Sequence, residues 1–134
     1  MKKVDATING IHIIVNIPET LHEFKEGARL SEGTLLDNEG YYFQFGKRER
    51  LRFENSGVQQ DLKVLFLSDP IGNSSVVQED KYMHRMSGTH VVSDYVYENA
   101  LELRADFCQV NDIGKGAILQ LNLEEVNSGR EDQD

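Results

Sequence analysis

The sequence predicts an α+β domain that is mainly antiparallel β, arranged as a curled sheet or small barrel, with one or two short helices. Three observations support this fold class. Several segments alternate apolar and polar residues with the period of a strand, most clearly residues 41–45 and 117–126. Turn-forming residues separate such segments. Residues 19–30 have the spacing of a short amphipathic helix.

The first elements are the clearest. Residues 6–17 predict two short strands around Asn9-Gly10, because this dipeptide supplies the positive φ that a type I′ turn needs at both central positions. Pro18 then ends the pairing, since it has no N–H. In residues 19–30, Leu21, Phe24 and Ala28 predict one apolar helix face, and Gly27 or Gly33 is expected to end the helix.

The middle of the chain predicts further strands. Residues 41–45 and 50–55 are expected to form a hairpin that turns at Gly46-Lys47, and residues 61–67 a buried central strand. A loop with a short strand at Val76-Val77 is expected in residues 71–80, and a long connection in residues 81–95. Residues 95–104 predict a helical turn that leads into a strand. The segment around Cys108 is strand-like, and residues 117–126 predict a strand.

Composition limits the number of domains and the location. At 134 residues the chain predicts a single β-rich domain over residues 1–126, followed by a disordered acidic tail over residues 127–134. No apolar run is long enough to span a membrane, and the N-terminus lacks the apolar stretch of a signal peptide. Cys108 is the only cysteine, so no intrachain disulfide can form, and we expect a cytoplasmic location.

The charge argues against nucleic acid as a partner. The formal net charge is -9, from 23 acidic and 14 basic residues, and such a field repels phosphate backbones. Residues 46–52 are locally basic, but solvated side chains that screen an edge strand explain this segment better than nucleic-acid binding, which also needs exposed stacking aromatics.

Short motifs along the chain resemble those of a bacterial and archaeal family known as domain of unknown function 192. The matching positions are Gly27, Gly40 to Phe43, Phe53 to Ser56, Asp61-Leu62 followed by Val64 to Leu67, Ala100 to Leu103, and Ile113 to Gly116. The chain departs from the family pattern at Ala28-Arg29, at Glu54 and Ser56, and at Ala117. Since that family is uncharacterised, the resemblance implies a fold rather than an activity.

The polar segment before the predicted central strand is the first candidate site. Asn55, Ser56 and Asp61 are expected to lie on one side of a sheet and bind a small polar ligand, with charge from Arg52 or the nearby Arg50. The alternative is structural, because Asn and Asp side chains also hold loops by bonding to nearby backbone N–H groups. The sequence favours this structural role and leaves both open.

His84 and His90 are the candidate metal ligands, since they are the only closely spaced histidines. Two surface histidines on a loop are the simpler interpretation, because a zinc site needs further ligands. Cys108 has an apolar context that predicts an inert thiol. No nucleophile elbow, phosphate-binding loop or dinucleotide motif occurs, so we expect no cofactor.

Three hypotheses for function remain. The leading one is a non-catalytic module that binds a small polar ligand or a protein partner. The second is a small metal-dependent enzyme of hydrolase type that uses the His84/His90 region together with Asp61. The third is self-association into a homo-oligomer through an exposed strand edge. Because no catalytic constellation is evident, the first is favoured over the second.

Overall fold

The computed structural model of the protein describes residues 1–27, 35–55, 57–86, 88 and 90–122. Over these residues the chain forms seven strands and two short helices. Their order is β1 (Lys2–Ile8), β2 (Ile11–Ile17), α1 (Leu21–Glu26), β3 (Glu39–Glu54), β4 (Leu62–Leu67), β5 (Ser74–Met83), β6 (His90–Arg104), α2 (Ala105–Val110) and β7 (Ile118–Leu121). The predicted acidic tail, residues 127–134, lies outside the described residues.

The strands close into a barrel in the order β1-β2-β3-β6-β4-β5-β7, with β7 pairing back onto β1. Every pair is antiparallel except β2 with β3, which is parallel. This confirms the predicted fold class, including the mainly antiparallel pairing and the short helices. It also confirms β4 as a central strand, since β4 lies between β6 and β5.

The β1–β2 hairpin forms at the predicted turn. Asn9 and Gly10 have φ angles of 49° and 78°, and Ile8 pairs with Ile11 across the turn. The Asn9 backbone N–H also donates to the carbonyl of Ile118 at 2.9 Å, and the Asn9 Oδ1 accepts from the Ile118 N–H at 2.9 Å. The turn therefore also holds the start of β7, which closes the barrel.

Two strands are longer than the sequence predicts. The expected hairpin at Gly46-Lys47 is wrong, because β3 continues through Gly46. Gly46 has a φ of +79° and lies between Gln44 and Glu49, where the pairing of β3 with β6 shifts in register. A local irregularity with an unpaired segment bends a strand without reversing it. The helical turn expected in residues 95–104 is also wrong, since these residues belong to β6 and pair with β3 and β4.

Other predicted elements differ in extent or type. The short strand at Val76-Val77 is part of the ten-residue β5, so the expected loop and long connection are both shorter than predicted. Cys108 is buried as predicted but lies in α2 rather than in a strand. The segment around Cys108 directly follows β6 in the chain. Its six residues are too few for the apolar pattern to distinguish a helix from a strand.

The protein has two apolar clusters, on opposite sides of the wall formed by β3, β6 and β4. The first fills the barrel and includes Tyr42, Leu65, Leu67, Leu101, Leu103 and Cys108. The second, which we call the outer cluster, includes Tyr41, Phe43, Leu62, Val64, Phe66 and Ala100, with Phe24, Phe45 and Phe53 packed against it. Successive residues of a strand point to opposite faces, so this wall is apolar on both sides.

Helix α1 lies against the outer cluster. Thr20 caps it: the Thr20 Oγ1 accepts from the Glu23 N–H at 3.1 Å, and the Glu23 carboxylate accepts from the Thr20 N–H at 3.3 Å. Gly27 ends the helix, as one of the two predicted glycines. Of the predicted apolar face, Phe24 packs against the cluster, Leu21 is 72% exposed, and Ala28 lies outside the described residues.

Candidate ligand-binding site

A cavity of about 200 Å³ lies beside the outer cluster, between α1 and the wall of β3, β6 and β4. Half of its lining residues are aromatic or aliphatic, and five are charged residues from α1, β3 and β6. The lining residues are Phe24, Lys25, Glu26, Gly27, Phe43, Phe45, Arg52, Phe53, Glu54, Val58, Leu62 and Glu102. We call it the phenylalanine cavity.

Four phenylalanines form its apolar lining. Phe43, Phe45 and Phe53 come from β3, and Phe24 comes from α1. Their neighbouring ring centroids lie 5.3 to 6.2 Å apart, in tilted, stacked and edge-to-face pairs. Aromatic rings at these separations stabilise one another beyond the area they bury. The four rings thus pack against one another, and the part of the lining that they form offers no conventional hydrogen-bonding group.

Glu102 is the exceptional residue of this cavity. On β6 it lies between Leu101 and Leu103, which point into the barrel, so its side chain points to the outer cluster. Only 4% of it is exposed, and it makes no side-chain hydrogen bond or ion pair with the residues that the structure describes. Burial raises the pKa of its carboxyl to about 8. The cavity therefore contains a buried acid group that can still accept or donate hydrogen bonds.

Gly27 allows the end of α1 to approach this carboxyl. Its φ is +52°, and a Cβ atom there would lie 3.2 Å from Cζ of Phe43 and 3.6 Å from Oε1 of Glu102. A side chain at this position would both strain the backbone and enter the cavity. Glycine at the end of α1 therefore keeps the space next to Glu102 open.

The predicted ligand residue Asn55 supports a loop. It is 1% exposed; its Nδ2 donates to the carbonyl of Gln60 at 2.9 Å, and its Oδ1 accepts from the Val58 N–H at 3.2 Å. Both ends of the amide are thus engaged within the segment between β3 and β4, as in the structural alternative. Ser56 lies outside the described residues.

Asp61 and Arg52 line different pockets. Asp61 accepts hydrogen bonds from the Tyr82 hydroxyl and, at 2.7 Å, from the Arg85 N–H, and these bonds lower the pKa of its carboxyl. It belongs to a polar groove that also includes Arg104. Arg52 is exposed and lines the phenylalanine cavity instead. The structure therefore does not place Arg52 with Asp61 in one pocket, and of the predicted ligand and metal residues that the structure describes, only Arg52 lines this cavity.

His84 and His90 lie on the surface. The His84 ring meets the Tyr82 ring edge-on, with centroids 4.9 Å apart, and the His90 Nε2 lies 3.5 Å from the Glu54 Oε2. Within residues 1–27, 35–55, 57–86, 88 and 90–122, no three His, Cys, Asp or Glu side chains are grouped so that they could hold a metal. The His84/His90 metal site stays a prediction.

The sequence did not predict the phenylalanine cavity, although two sequence patterns bear on it. The alternation in residues 41–45 places Phe43 and Phe45 on one face. The segment Ala100 to Leu103 carries the other signal: a strand with apolar residues on both faces and one acid, Glu102, among them. Such an acid is unusual in a strand buried on both sides, and it points to a polar site within an apolar layer.

The fold is similar to two solved structures. One is described as a "putative transcription regulator" from Sinorhizobium meliloti; the match covers 90% of this chain and 94% of that one, with a TM-score of 0.75 and 16% identity. The other is a protein of unknown function from Novosphingobium aromaticivorans, with 88% and 84% of the two chains covered, a TM-score of 0.69 and 15% identity. Identities this low support the shared fold alone.

No protein-family model and no curated protein matches the chain. The resemblance to domain of unknown function 192 therefore stays a prediction. Neither of the described helices has the length and apolar character needed to cross a membrane.

Proposed function

We propose that the protein is a non-catalytic binding module that holds a small molecule in the phenylalanine cavity. The observation that carries this proposal is the combination of four phenylalanines with the buried carboxyl of Glu102, which has no hydrogen-bond or ion-pair partner among the described residues. Small-molecule sites are typically concave and mostly apolar, with few polar groups that orient the ligand. This combination matches that description.

The size of the cavity sets the size of the ligand. A buried apolar cavity of about 150 Å³ is known to accommodate benzene. At about 200 Å³, the phenylalanine cavity can therefore take a ligand slightly larger than one aromatic ring. For a ligand of that size, we expect a dissociation constant on the order of 1 mM for an unoptimised probe.

The test uses two such probes, benzylamine and benzyl alcohol, on the full-length chain. In amide chemical-shift titrations we expect at least one probe to saturate and to shift the signals of Gly27, Phe53 and Glu102. The Phe53→Ala variant should weaken binding, whereas Tyr95→Ala, which removes a 72% exposed aromatic ring that does not line the cavity, should not. Absence of saturable shifts at these positions with both probes would overturn the proposal.

A further inference from the structure

The electrostatics of the phenylalanine cavity select among classes of ligand. Aromatic rings carry negative charge on their faces, so a cation over a ring is attracted and an anion is not. The charged groups in the lining are Lys25 and Glu26 from α1, Arg52 and Glu54 from β3, and Glu102 from β6. With Glu102 protonated, the two bases of the described lining are matched by two acids, and the chain as a whole carries a formal charge of -9. An anionic ligand would therefore find no net positive charge in this lining and would be repelled by the chain as a whole.

The position of Glu102 adds a requirement for a hydrogen-bond donor. A buried polar group without a partner costs free energy, and a ligand that supplies the partner recovers that cost. A Cβ atom on Gly27 would lie 3.6 Å from the Glu102 Oε1, but the Gly27 N–H already donates to the carbonyl of Glu23, and the phenylalanine rings of the lining carry no N–H or O–H group. The complementary ligand group is therefore one that brings its own N–H donors.

From this geometry we propose that the cavity binds a small organic ammonium ion, with its apolar body against Phe24, Phe43, Phe45 and Phe53 and its N–H groups on the carboxylate of Glu102. This inference rests on the proposed binding function and narrows it to one class of ligand. An ammonium group offers several N–H donors to a carboxylate that accepts up to four hydrogen bonds. A charge-assisted bond of this kind is about twice as strong as a neutral one.

Binding of such a cation changes the protonation state of Glu102. Because burial holds the pKa of Glu102 at about 8, its carboxyl is mostly protonated at pH 7 in the empty cavity. Formation of the ion pair converts the carboxyl to a carboxylate, and its proton leaves to solvent. The ammonium keeps its own protons. Affinity for the cation should therefore rise with pH until Glu102 is fully ionised, and binding below that pH should release up to one proton.

The experiment compares benzylamine with benzyl alcohol, which has the same apolar body and no charge at its polar end. Titration calorimetry is run at pH 6.0 in MES and in Bis-Tris and at pH 8.5 in Tris and in Tricine, because the two buffers at each pH have different ionisation enthalpies and so report the protons released. For the wild-type chain we expect benzylamine to bind more than about tenfold tighter at the higher pH, with protons released at pH 6.0. Benzyl alcohol should show neither effect.

The Glu102→Gln variant is the matched control, because glutamine has nearly the same shape and does not titrate. It should lose the pH dependence for benzylamine and bind both probes with similar affinity. The wild-type measurements alone keep the inference testable if this variant does not fold. Benzyl alcohol binding as tightly as benzylamine at both pH values would overturn the ammonium class and leave the binding function standing. Failure of both probes to bind would overturn both proposals.

Discussion

Glu102 has an unusual environment for an acid in the middle of a strand. Its neighbours along β6, Leu101 and Leu103, fill the barrel, and its partners across the sheet are Tyr41 and Val64. None of these four side chains carries a charge that could offset that of a carboxylate. Burial therefore raises the pKa of this carboxyl to about 8, and the group stays protonated to an unusually high pH.

This pKa makes stability depend on pH. The unfolded chain releases the Glu102 proton near pH 4.5, whereas the folded chain holds it up to about pH 8. Between these values the folded state binds more protons, so its stability falls as pH rises. We expect Glu102→Gln to remove this loss, so that its stability relative to the wild type rises by about 3–4 kcal/mol between pH 5 and pH 8.

Urea unfolding of both chains at pH 5, 6.5 and 8 measures this difference. Glu98→Gln on the same strand is a suitable control, because Glu98 is only half-buried and lies outside the cavity lining. A gap that stays constant from pH 5 to pH 8 would contradict the raised pKa, since the substitution would then act through packing alone.

The sequence predictions missed Glu102, because the local sequence shows neither its buried position nor what surrounds it. Its position between Leu101 and Leu103 is visible in the alternation of β6. The cavity that it lines is formed in part by Phe24 and Phe53, which are far away in the chain. Contacts of this kind depend on the barrel closing and on α1 docking, neither of which has a local sequence signal.

At the scale of elements, the end of α1 determines the shape of the cavity. Gly27 has φ +52° and ψ -130°, a backbone conformation that residues with a Cβ atom rarely adopt. This conformation turns the chain away from the helix while its N–H still donates to Glu23. The glycine therefore lets the helix end next to Phe43 without filling the cavity.

We expect Gly27→Ala to destabilise the fold by about 1–3 kcal/mol, because the new methyl group adds a close contact with Phe43 to the backbone strain. Gly46→Ala is the matched control: Gly46 also has a positive φ, of +79°, and a Cβ atom there would meet nothing within 4 Å. Urea unfolding should show the larger loss for Gly27→Ala. Equal losses for the two variants would mean that Phe43 adds nothing to the strain.

Gly27 and Gly46 show how far the local sequence predicts where a helix ends or a strand turns. Gly27 was expected to end a helix, and it does, because an apolar helical pattern preceded it. Gly46-Lys47 was expected to be a turn, yet β3 continues through it, since β6 pairs with the residues on both sides of it. Glycine permits both a turn and an irregular strand, and only the partner strand decides between them.

At the scale of the whole molecule, the β3–β6–β4 wall divides the protein into an interior and an outer side with different roles. The barrel interior is filled by aliphatic side chains together with Tyr42 and Cys108. The outer side carries the aromatic cavity and its acid. Because one wall supports both sides, the filled barrel provides a rigid base for a site that lies outside it.

The reactivity of the Cys108 thiol can be used to detect opening of the barrel interior. It lies in α2 with 1% exposure, packed among the barrel residues, and burial raises the pKa of its thiol to about 12. A thiol with that pKa is almost entirely protonated at pH 8, and the thiolate is the reactive form. Both low access and low ionisation therefore protect it in the folded state.

We expect Ellman's reagent at pH 8 to modify Cys108 only when the barrel opens, so that the labelling rate is far below that of a free thiol and rises with urea as the fold is lost. The control is a Cys108→Ser, Gln109→Cys chain, which moves the thiol by one residue to an exposed position of α2 and should react at the rate of a free thiol without urea. Fast labelling of Cys108 in the native wild-type chain would show that α2 detaches from the barrel without global unfolding. In that case the interior would not provide a rigid base for the site on its outer side.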